Sequence, residues 1–429
     1  MTAAEHGGSA DQPAPADEIG SFSQLVRRAA ELRPDQAAVI EGGTRWSWGQ
    51  LADAVARVAA ALVQLGLRRD DRIAIQAPTS AQYVALYLGA LQADLVVVPV
   101  NPAYTLPELE YIVQDSQARV LITSSVAAIE AASELRQRHP GLAHIVLAAR
   151  TGGGELPTVD ELIEGAGEQR HDQPGRTGDD LAVLLYTSGT SGRPKGAMLP
   201  VRALLANLAQ LAQLSPPPLS PDDRILLPLP LFHIFGLNAG LGMALYFGAT
   251  VVLTGRFDAT ETLQAIRDER VTVVVGAPLE FALWAGRPEA AESFRGVRYA
   301  LSGSAPLSAE LVSAYAEFGV SLFEGYGLTE AAPVVTVNLV PAEAGNGWAE
   351  PKPGSVGRPL PGVQVRLVDT DDEEVEVGDL GVLEVRGPNL FLGYWPDGAG
   401  GPDADGWFET GDLAVADDDG DLYLVGRRG

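Results

Sequence analysis

Two kinds of apolar spacing alternate along the chain. Phe22, Leu25, Val26, Ala29 and Leu32 recur three and four apart, as do Ala and Leu across 51–67, and this period predicts amphipathic helices. Between and beyond them lie short aliphatic runs closed by turn residues, at 37–40, 72–75, 96–100, 120–122 and 144–147. Runs that are continuously aliphatic, rather than alternating, predict strands covered on both faces of a parallel sheet. The rhythm returns after Asp180, with strands at 181–186, 224–227, 250–253 and 271–275 and helices at 201–214, 236–246 and 259–268. From about Gly354 the style changes. VGRPLPGVQVRLVD, GVLEVRGPNLFLGYW and GDLYLVG are valine-rich or alternating segments separated by Gly, Pro and Asp, as in a small antiparallel sheet or barrel. The fold class expected is therefore α/β: two stacked, doubly wound αβ subdomains at 21–178 and 179–345, then a small antiparallel β-barrel subdomain at 346–429.

Composition narrows the function classes. At 429 residues the chain exceeds one ordinary core. Its 56 acidic against 30 basic residues leave a net charge of −26, which argues against a nucleic-acid track or an anionic membrane surface. Any anionic ligand must be held by local features. Without cysteine there is no disulfide, thiolate nucleophile or thiolate metal site, and a cytoplasmic protein fits best. The first 20 residues lack both a basic start and an apolar run and read as a disordered tail rather than a signal peptide. No apolar stretch approaches a membrane span.

Residues 186–196, YTSGTSGRPKG, hold four small hydroxyl side chains, three glycines and one lysine. The run follows a buried-strand signal, at a strand's carboxyl end, where open α/β sheets bind ligands. Glycines let backbone N–H groups approach a phosphate, hydroxyls add donors, and Lys195 adds a charge. The Walker pattern is not met, since Gly196 follows the lysine. By composition alone the run is equally a mobile Ser/Gly hairpin.

YTSGTSGRPKGAM resembles the phosphate-binding signature of the adenylate-forming superfamily, which includes acyl- and aryl-CoA synthetases. Further matching stretches follow in the family's order: LPLFHIFG ending at Gly236, LSGSAPL (301–307), EGYGLTE (324–330), VGRPLPG (356–362), DGWFETGD (405–412) and VGRRG (425–429), with VVVPVNPAYTLPELEYIVQDS upstream. The likeness runs from about Phe22 to the end and is most like fatty-acyl or 4-coumarate-type CoA ligases. It implies ATP, Mg2+ and coenzyme A, and two half-reactions: a carboxylic acid, here expected to be fatty acyl, attacks the α-phosphate of ATP, and a thiol then displaces AMP.

By the same resemblance Thr187, Ser188, Gly189, Thr190, Ser191 and Lys195 hold the β- and γ-phosphates. Thr329 reaches the α-phosphate and Glu330 binds magnesium, a hard cation suited to carboxylate oxygen. Taken alone, Glu330 reads as a helix N-terminal carboxylate. Gly303, Ser304, Ala305 and Pro306 resemble the loop against adenine, Glu324, Gly325 and Gly327 flank it, and Tyr326 resembles the ring that stacks on the base. Asp412 resembles the carboxylate on the ribose hydroxyls, with Arg427 beside it. His233 lies next to the acyl carboxylate, Phe232 and Phe235 wall the pocket, and a satisfied core histidine competes with that role. No HExxH or paired-His spacing supports zinc.

Peptide-synthetase domains carry an aspartate where this chain reads FHIFG, which disfavours an amino-acid substrate, because its ammonium would be left unpaired. Small residues Gly325, Ala331, Ala332, Pro333, Ala277 and Pro278 suggest an apolar slot. Asp417, Asp419 and Asp421 have calcium-loop spacing, but Leu422 stands where the loop needs glycine, so solvated hairpin tips are expected. The family's catalytic lysine belongs to a C-terminal lid domain after the GR pair, which the resemblance implies is absent here. Gly429 stands at the hinge and Val201 replaces a common histidine. The expectation is slow adenylate formation and little thioester formation by this chain. Two rivals remain: a nucleotide-binding module without turnover, and a ligase that loads a carrier-protein thiol.

Overall fold

The computed structural model describes residues 19–150, 155–187, 192–342 and 347–428. Its strands, in chain order, are Ala37–Glu41 (β1), Thr44–Ser47 (β2), Arg72–Gln76 (β3), Val96–Pro99 (β4), Ala118–Thr123 (β5), His144–Leu147 (β6), Leu181–Thr187 (β7), Lys195–Pro200 (β8), Arg224–Leu227 (β9), Thr250–Leu253 (β10), Val273–Gly276 (β11), Tyr299–Ser302 (β12), Ser321–Gly327 (β13), Val334–Val337 (β14), Arg358–Pro359 (β15), Gln364–Val368 (β16), Gly381–Arg386 (β17), Phe408–Ala416 (β18) and Leu422–Arg427 (β19). They form a nine-stranded sheet ordered β15-β14-β13-β12-β11-β9-β10-β1-β2, a six-stranded sheet ordered β6-β5-β3-β4-β7-β8, and a four-stranded antiparallel sheet, β16 to β19.

The two larger sheets are parallel at their centres and antiparallel only toward their ends, at β2, β14, β15 and β8. Helices cover both faces, as the continuous aliphatic strands require. One face of β11, β12 and β13 adds Val273, Val275, Tyr299 and Phe323 to the main core. The other packs Val274, Ala300 and Leu322 on a cluster of Phe281, Trp284, Phe294 and Tyr315. Those four rings meet edge-on at 5.0–5.8 Å, a favoured aromatic geometry. The helices start as sequence rules dictate: Ser21 with Gln24, Ser47 with Gln50 and Thr158 with Glu161 form capping boxes.

Sheet membership crosses the expected subdomain boundaries. β1 and β2 join the nine-stranded sheet, β7 and β8 join the six-stranded one, and β15 extends the nine-stranded edge by pairing with β14. Period announces a strand but not its partner, so these exchanges leave no local signal. The third part is a four-stranded sheet, and no strand pair closes it into a barrel among the described residues. The helix expected at 236–246 is a π-helix, Phe235–Gly242, continued by the α-helix Met243–Phe247. Its glycines pack tightly: a Cβ at Gly236 would lie 2.4 Å from the Pro230 carbonyl oxygen, and one at Gly240 2.3 Å from Leu227.

Candidate active site

β7 and β8 form an antiparallel hairpin in which Thr187 pairs with Lys195 and Tyr186 with Gly196. The glycine-rich run therefore connects two antiparallel strands. The following helix, Val201–Ala212, begins only after β8. Gly196 packs closely there, since a Cβ would lie 2.8 Å from the Leu184 methyl and displace it. Two residues of helix Leu106–Ser116 brace the hairpin. Tyr111 donates its hydroxyl to the Pro194 carbonyl (2.9 Å), and Asp115 accepts from the Tyr186 hydroxyl (2.6 Å). Ser188, Gly189, Thr190 and Ser191 lie outside the described residues.

β13 carries EGYGLTE. Glu324 to Gly327 end the strand, Thr329–Ala331 makes one 3-10 turn, and β14 returns antiparallel. Gly327 permits this return, since a Cβ there would lie 2.2 Å from the Pro333 carbonyl oxygen. Gly327→Ala is expected to destabilise by about 1–3 kcal/mol, the usual cost of overpacking. Urea unfolding would show it, and unchanged stability would mean the turn is slack. Beside β13, β12 ends in register, with Ser302 opposite Glu324, and leads into Gly303 and Ser304, whose φ of 73° is left-handed.

These strand ends open on a cavity of about 490 Å³. His233, Gly303, Ser304, Gly325, Tyr326, Gly327 and Thr329 line it together. So do Leu219, Ile225, Met243, Val273, Val275, Leu301, Val337 and Leu339. Polar motif residues and an aliphatic chamber thus share one space. Phe235 lines it and limits Gly303, where a Cβ would approach the ring to 3.0 Å. Of the small residues named for the apolar slot, Gly325, Pro333 and Ala277 line the cavity. Ala331, Ala332, Pro278 and Phe232 do not, nor do Ala305, Pro306 and Glu324.

Asp412 joins the cavity through a hydrogen bond to its lining residue Tyr326, and Glu330 and Lys195 meet at Tyr394, outside the lining. Tyr326 donates its hydroxyl to Asp412 Oδ2 (2.6 Å), and Arg427 Nε donates to Oδ1 (2.8 Å). Asp412 is buried and Arg427 largely exposed. Glu330 accepts from the Tyr394 hydroxyl at 2.5 Å, and Lys195 Nζ stands 5.4 Å from the centre of the Tyr394 ring. Tyr394 carries no sequence assignment. Its only signal was the aromatic pair in LFLGYW, which reads as strand packing. Glu280 was missed as well. It lines the cavity while its Oε2 caps the helix Pro278–Ala285 by accepting from the Ala277 N–H (2.8 Å). Burial raises the pKa of this carboxyl.

His233 is exposed where it lines the cavity, and the surrounding protein lowers its pKa, so the ring is neutral near pH 7. Burial pushes the Glu324 carboxyl up to about 7, opposed by the hydrogen bond it accepts from the Leu307 N–H (3.1 Å). The folded chain holds this proton more tightly than the unfolded one, so ionising it opposes folding. The penalty is absent below about pH 4.5 and complete above about pH 7, where it reaches about 3 kcal/mol. Glu324→Gln keeps an acceptor for Leu307 and is expected to raise Tm clearly at pH 8 and little at pH 5. Equal shifts at both would mean that another group titrates.

The sequence profile described as AMP-binding enzyme matches residues 26–395. The chain belongs to the AMP-binding enzyme family. Feruloyl-CoA synthase of Amycolatopsis sp is 36% identical over 416 residues, covering 95% of this chain and 78% of that protein. The long-chain-fatty-acid–CoA ligase of Salmonella typhimurium is 32% identical over 446 residues, covering 96% and 78%. The ATP-bound structure of MatB from Rhodopseudomonas palustris superposes with a TM-score of 0.84 at 31% identity, covering 95% of this chain and 79% of that one. The adenylate-forming resemblance and the α/β fold with a separate small antiparallel sheet therefore stand.

Two further readings are tested by the structure. The acidic run after β18 is the turn of the β18–β19 hairpin with Asp418 and Asp419 exposed at its tip, as expected, but Asp421 is not solvated. Lys352 Nζ lies 2.7, 2.7 and 3.0 Å from Asp417, Asp419 and Asp421, and Asp421 is 2% exposed. A lysine ammonium occupies the centre of what resembled a calcium loop. In this family member no helix among the described residues is long and apolar enough to cross a membrane.

Proposed function

We propose that this chain binds ATP and a fatty-acyl or similarly apolar carboxylic acid for a two-step reaction of the full-length enzyme, which joins the two with release of pyrophosphate and then passes the acyl group from the adenylate to the thiol of coenzyme A. In the first step a carboxylate oxygen bonds to the α-phosphorus as the bond to the β-phosphate oxygen breaks. In the second the thiol, losing its proton, bonds to the acyl carbon as AMP leaves. No covalent enzyme intermediate is needed, so the absence of cysteine is no obstacle. Catalysis reduces to positioning and charge neutralisation along the phosphates.

The observation that carries this reading is the shared cavity, in which Thr329, Tyr326 and His233 face the same space as an aliphatic chamber. A nucleotide against Gly303, Ser304, Ala305, Pro306 and Tyr326 would place its ribose near Asp412 and Arg427. Its phosphates would run past Thr329 toward Lys195 and Thr187, and the resemblance adds Ser188, Gly189, Thr190 and Ser191 as phosphate ligands. Glu330 suits magnesium in this setting: Tyr394 holds one carboxylate oxygen, and the other accepts no hydrogen bond from the described residues. Bound there, the ion would neutralise phosphate charge. Neutral His233 is placed to orient the acid without adding a charge beside it. Among the described residues that line the chamber the one carboxylate is Glu280, which uses one oxygen to cap its helix and whose pKa burial raises, so it is a weak partner for an ammonium group.

The test is AMP release with coenzyme A across a panel from acetate to palmitate plus aryl acids, using the complete protein. Alkyl acids long enough to fill the chamber are expected to give the highest kcat/KM. Preference for an amino acid or a distally charged acid would overturn the apolar assignment. Replacing coenzyme A by a phosphopantetheinylated carrier protein identifies the thiol, and faster transfer to the carrier would overturn that half.

A further inference from the structure

Residues 390–395 lie in the connection between β17 and β18, and four of their backbone bonds reach other elements. The Met198 N–H donates to the Gly393 carbonyl (3.0 Å), the Leu392 N–H to the Met198 carbonyl (2.9 Å) and the Trp395 N–H to the Gly196 carbonyl (2.8 Å), so the segment runs as an extra strand along β8. The Phe391 N–H donates to the Glu330 carbonyl (2.9 Å). One short strap thus grips both the strand that begins with Lys195 and the turn that carries Glu330. Those two residues are remote in sequence: Lys195 begins β8 of the six-stranded sheet, and Glu330 lies in the turn between β13 and β14 of the nine-stranded one. Tyr394 makes the link through its side chain as well, with its hydroxyl on Glu330 Oε1 and its ring beneath the Lys195 ammonium. A tyrosine needed only for packing would not have to aim its hydroxyl at a carboxylate while offering its ring face to a cation.

We infer that Tyr394 is a positioning residue of the phosphate site: its hydroxyl fixes Glu330 so that the second carboxylate oxygen faces the metal-bound phosphates, and its ring sets the position of Lys195. The two halves of the side chain have separable jobs. A hydrogen bond to an ionised carboxylate is directional, so losing it frees Glu330 to rotate. The attraction between an ammonium and a ring face needs no hydroxyl and survives in phenylalanine.

This inference rests on the reading of the site as an ATP–acid ligase, and binding of α,β-methylene ATP by titration calorimetry, with and without magnesium, tests the two separately. Tyr394→Phe is expected to reduce the gain in affinity that magnesium confers by about tenfold, the factor set by one charge-assisted hydrogen bond. Its metal-free affinity stays within about twofold of wild type, because the cation–ring contact remains. Tyr394→Leu is expected to lower metal-free affinity as well, by about fivefold, as Lys195 loses its support. Thermal midpoints of the apo proteins separate these effects from unfolding, and if the leucine variant fails to fold, the phenylalanine variant decides alone. A wild-type protein with normal binding beside a Tyr394→Phe variant with an unchanged magnesium gain would overturn the inference and spare the ligase reading. A wild-type protein that binds no nucleotide would overturn both.

Discussion

Lys195→Met is expected to lower kcat/KM for acid-dependent AMP release by about a hundred- to a thousandfold, the usual effect of removing one preorganised charge from a developing anion. The chain carries a net charge of −26, so a triphosphate approaches an unfavourable background. Lys195 counters it locally: its ammonium makes no salt bridge among the described residues and faces the Tyr394 ring, leaving its donors for a ligand. Arg193 sits over a different ring, its guanidinium 5.9 Å from the centre of Tyr111. Methionine keeps the length and the packing while removing the charge. Single-turnover measurement of AMP release checks the effect, and a loss below about fivefold would place the phosphates elsewhere.

Asp412→Ala is expected to act on both nucleotide affinity and stability. Its carboxylate accepts from Tyr326 and Arg427 and retains lone pairs for two ribose hydroxyls. Losing two hydrogen bonds to an ionised acceptor corresponds to about 3 kcal/mol, or about a hundredfold in Kd for ATP. The same change leaves the buried Tyr326 hydroxyl without its acceptor, at about 1–3 kcal/mol of folding stability. Tyr326→Phe separates the two contributions. It spares Asp412 for the sugar, so it should weaken binding far less while removing the orphaned hydroxyl. Calorimetric titration and urea unfolding give the two numbers, and wild-type ATP affinity in Asp412→Ala would remove this residue from the nucleotide site.

Much of the fold was legible because the strands are buried on both faces. The runs at 144–147, 224–227 and 250–253 are strands with those same limits, and 22–32 is a helix with those limits. Strand β8 was not legible. Its residues KGAMLP follow a glycine-rich turn and read as the approach to a helix, and only pairing with β7 makes them a strand. Sheet membership was hidden for the same reason, since β1 and β10 pair across more than two hundred residues without any mark in either segment.

The candidate site divides along similar lines. Residues whose backbone does the work, Gly303, Ser304, Gly325 and Gly327, sit together on the cavity because glycine and small residues at strand ends signal close approach. Residues that act through a partner from another sheet escaped notice. Tyr394 means little until Glu330 and Lys195 surround it, and Asp421 looks solvated until Lys352 folds over it. Side-chain networks closed by tertiary contacts have no periodicity to read.

The measurement that bears most directly on the whole account is isotope exchange between labelled pyrophosphate and ATP, with and without a medium-chain fatty acid. Label is expected to enter ATP only when the acid is present, and to stop in Lys195→Met. A protein that binds ATP yet exchanges no label with any carboxylic acid, or exchanges it equally without one, would contradict the claim that this cavity joins the two substrates.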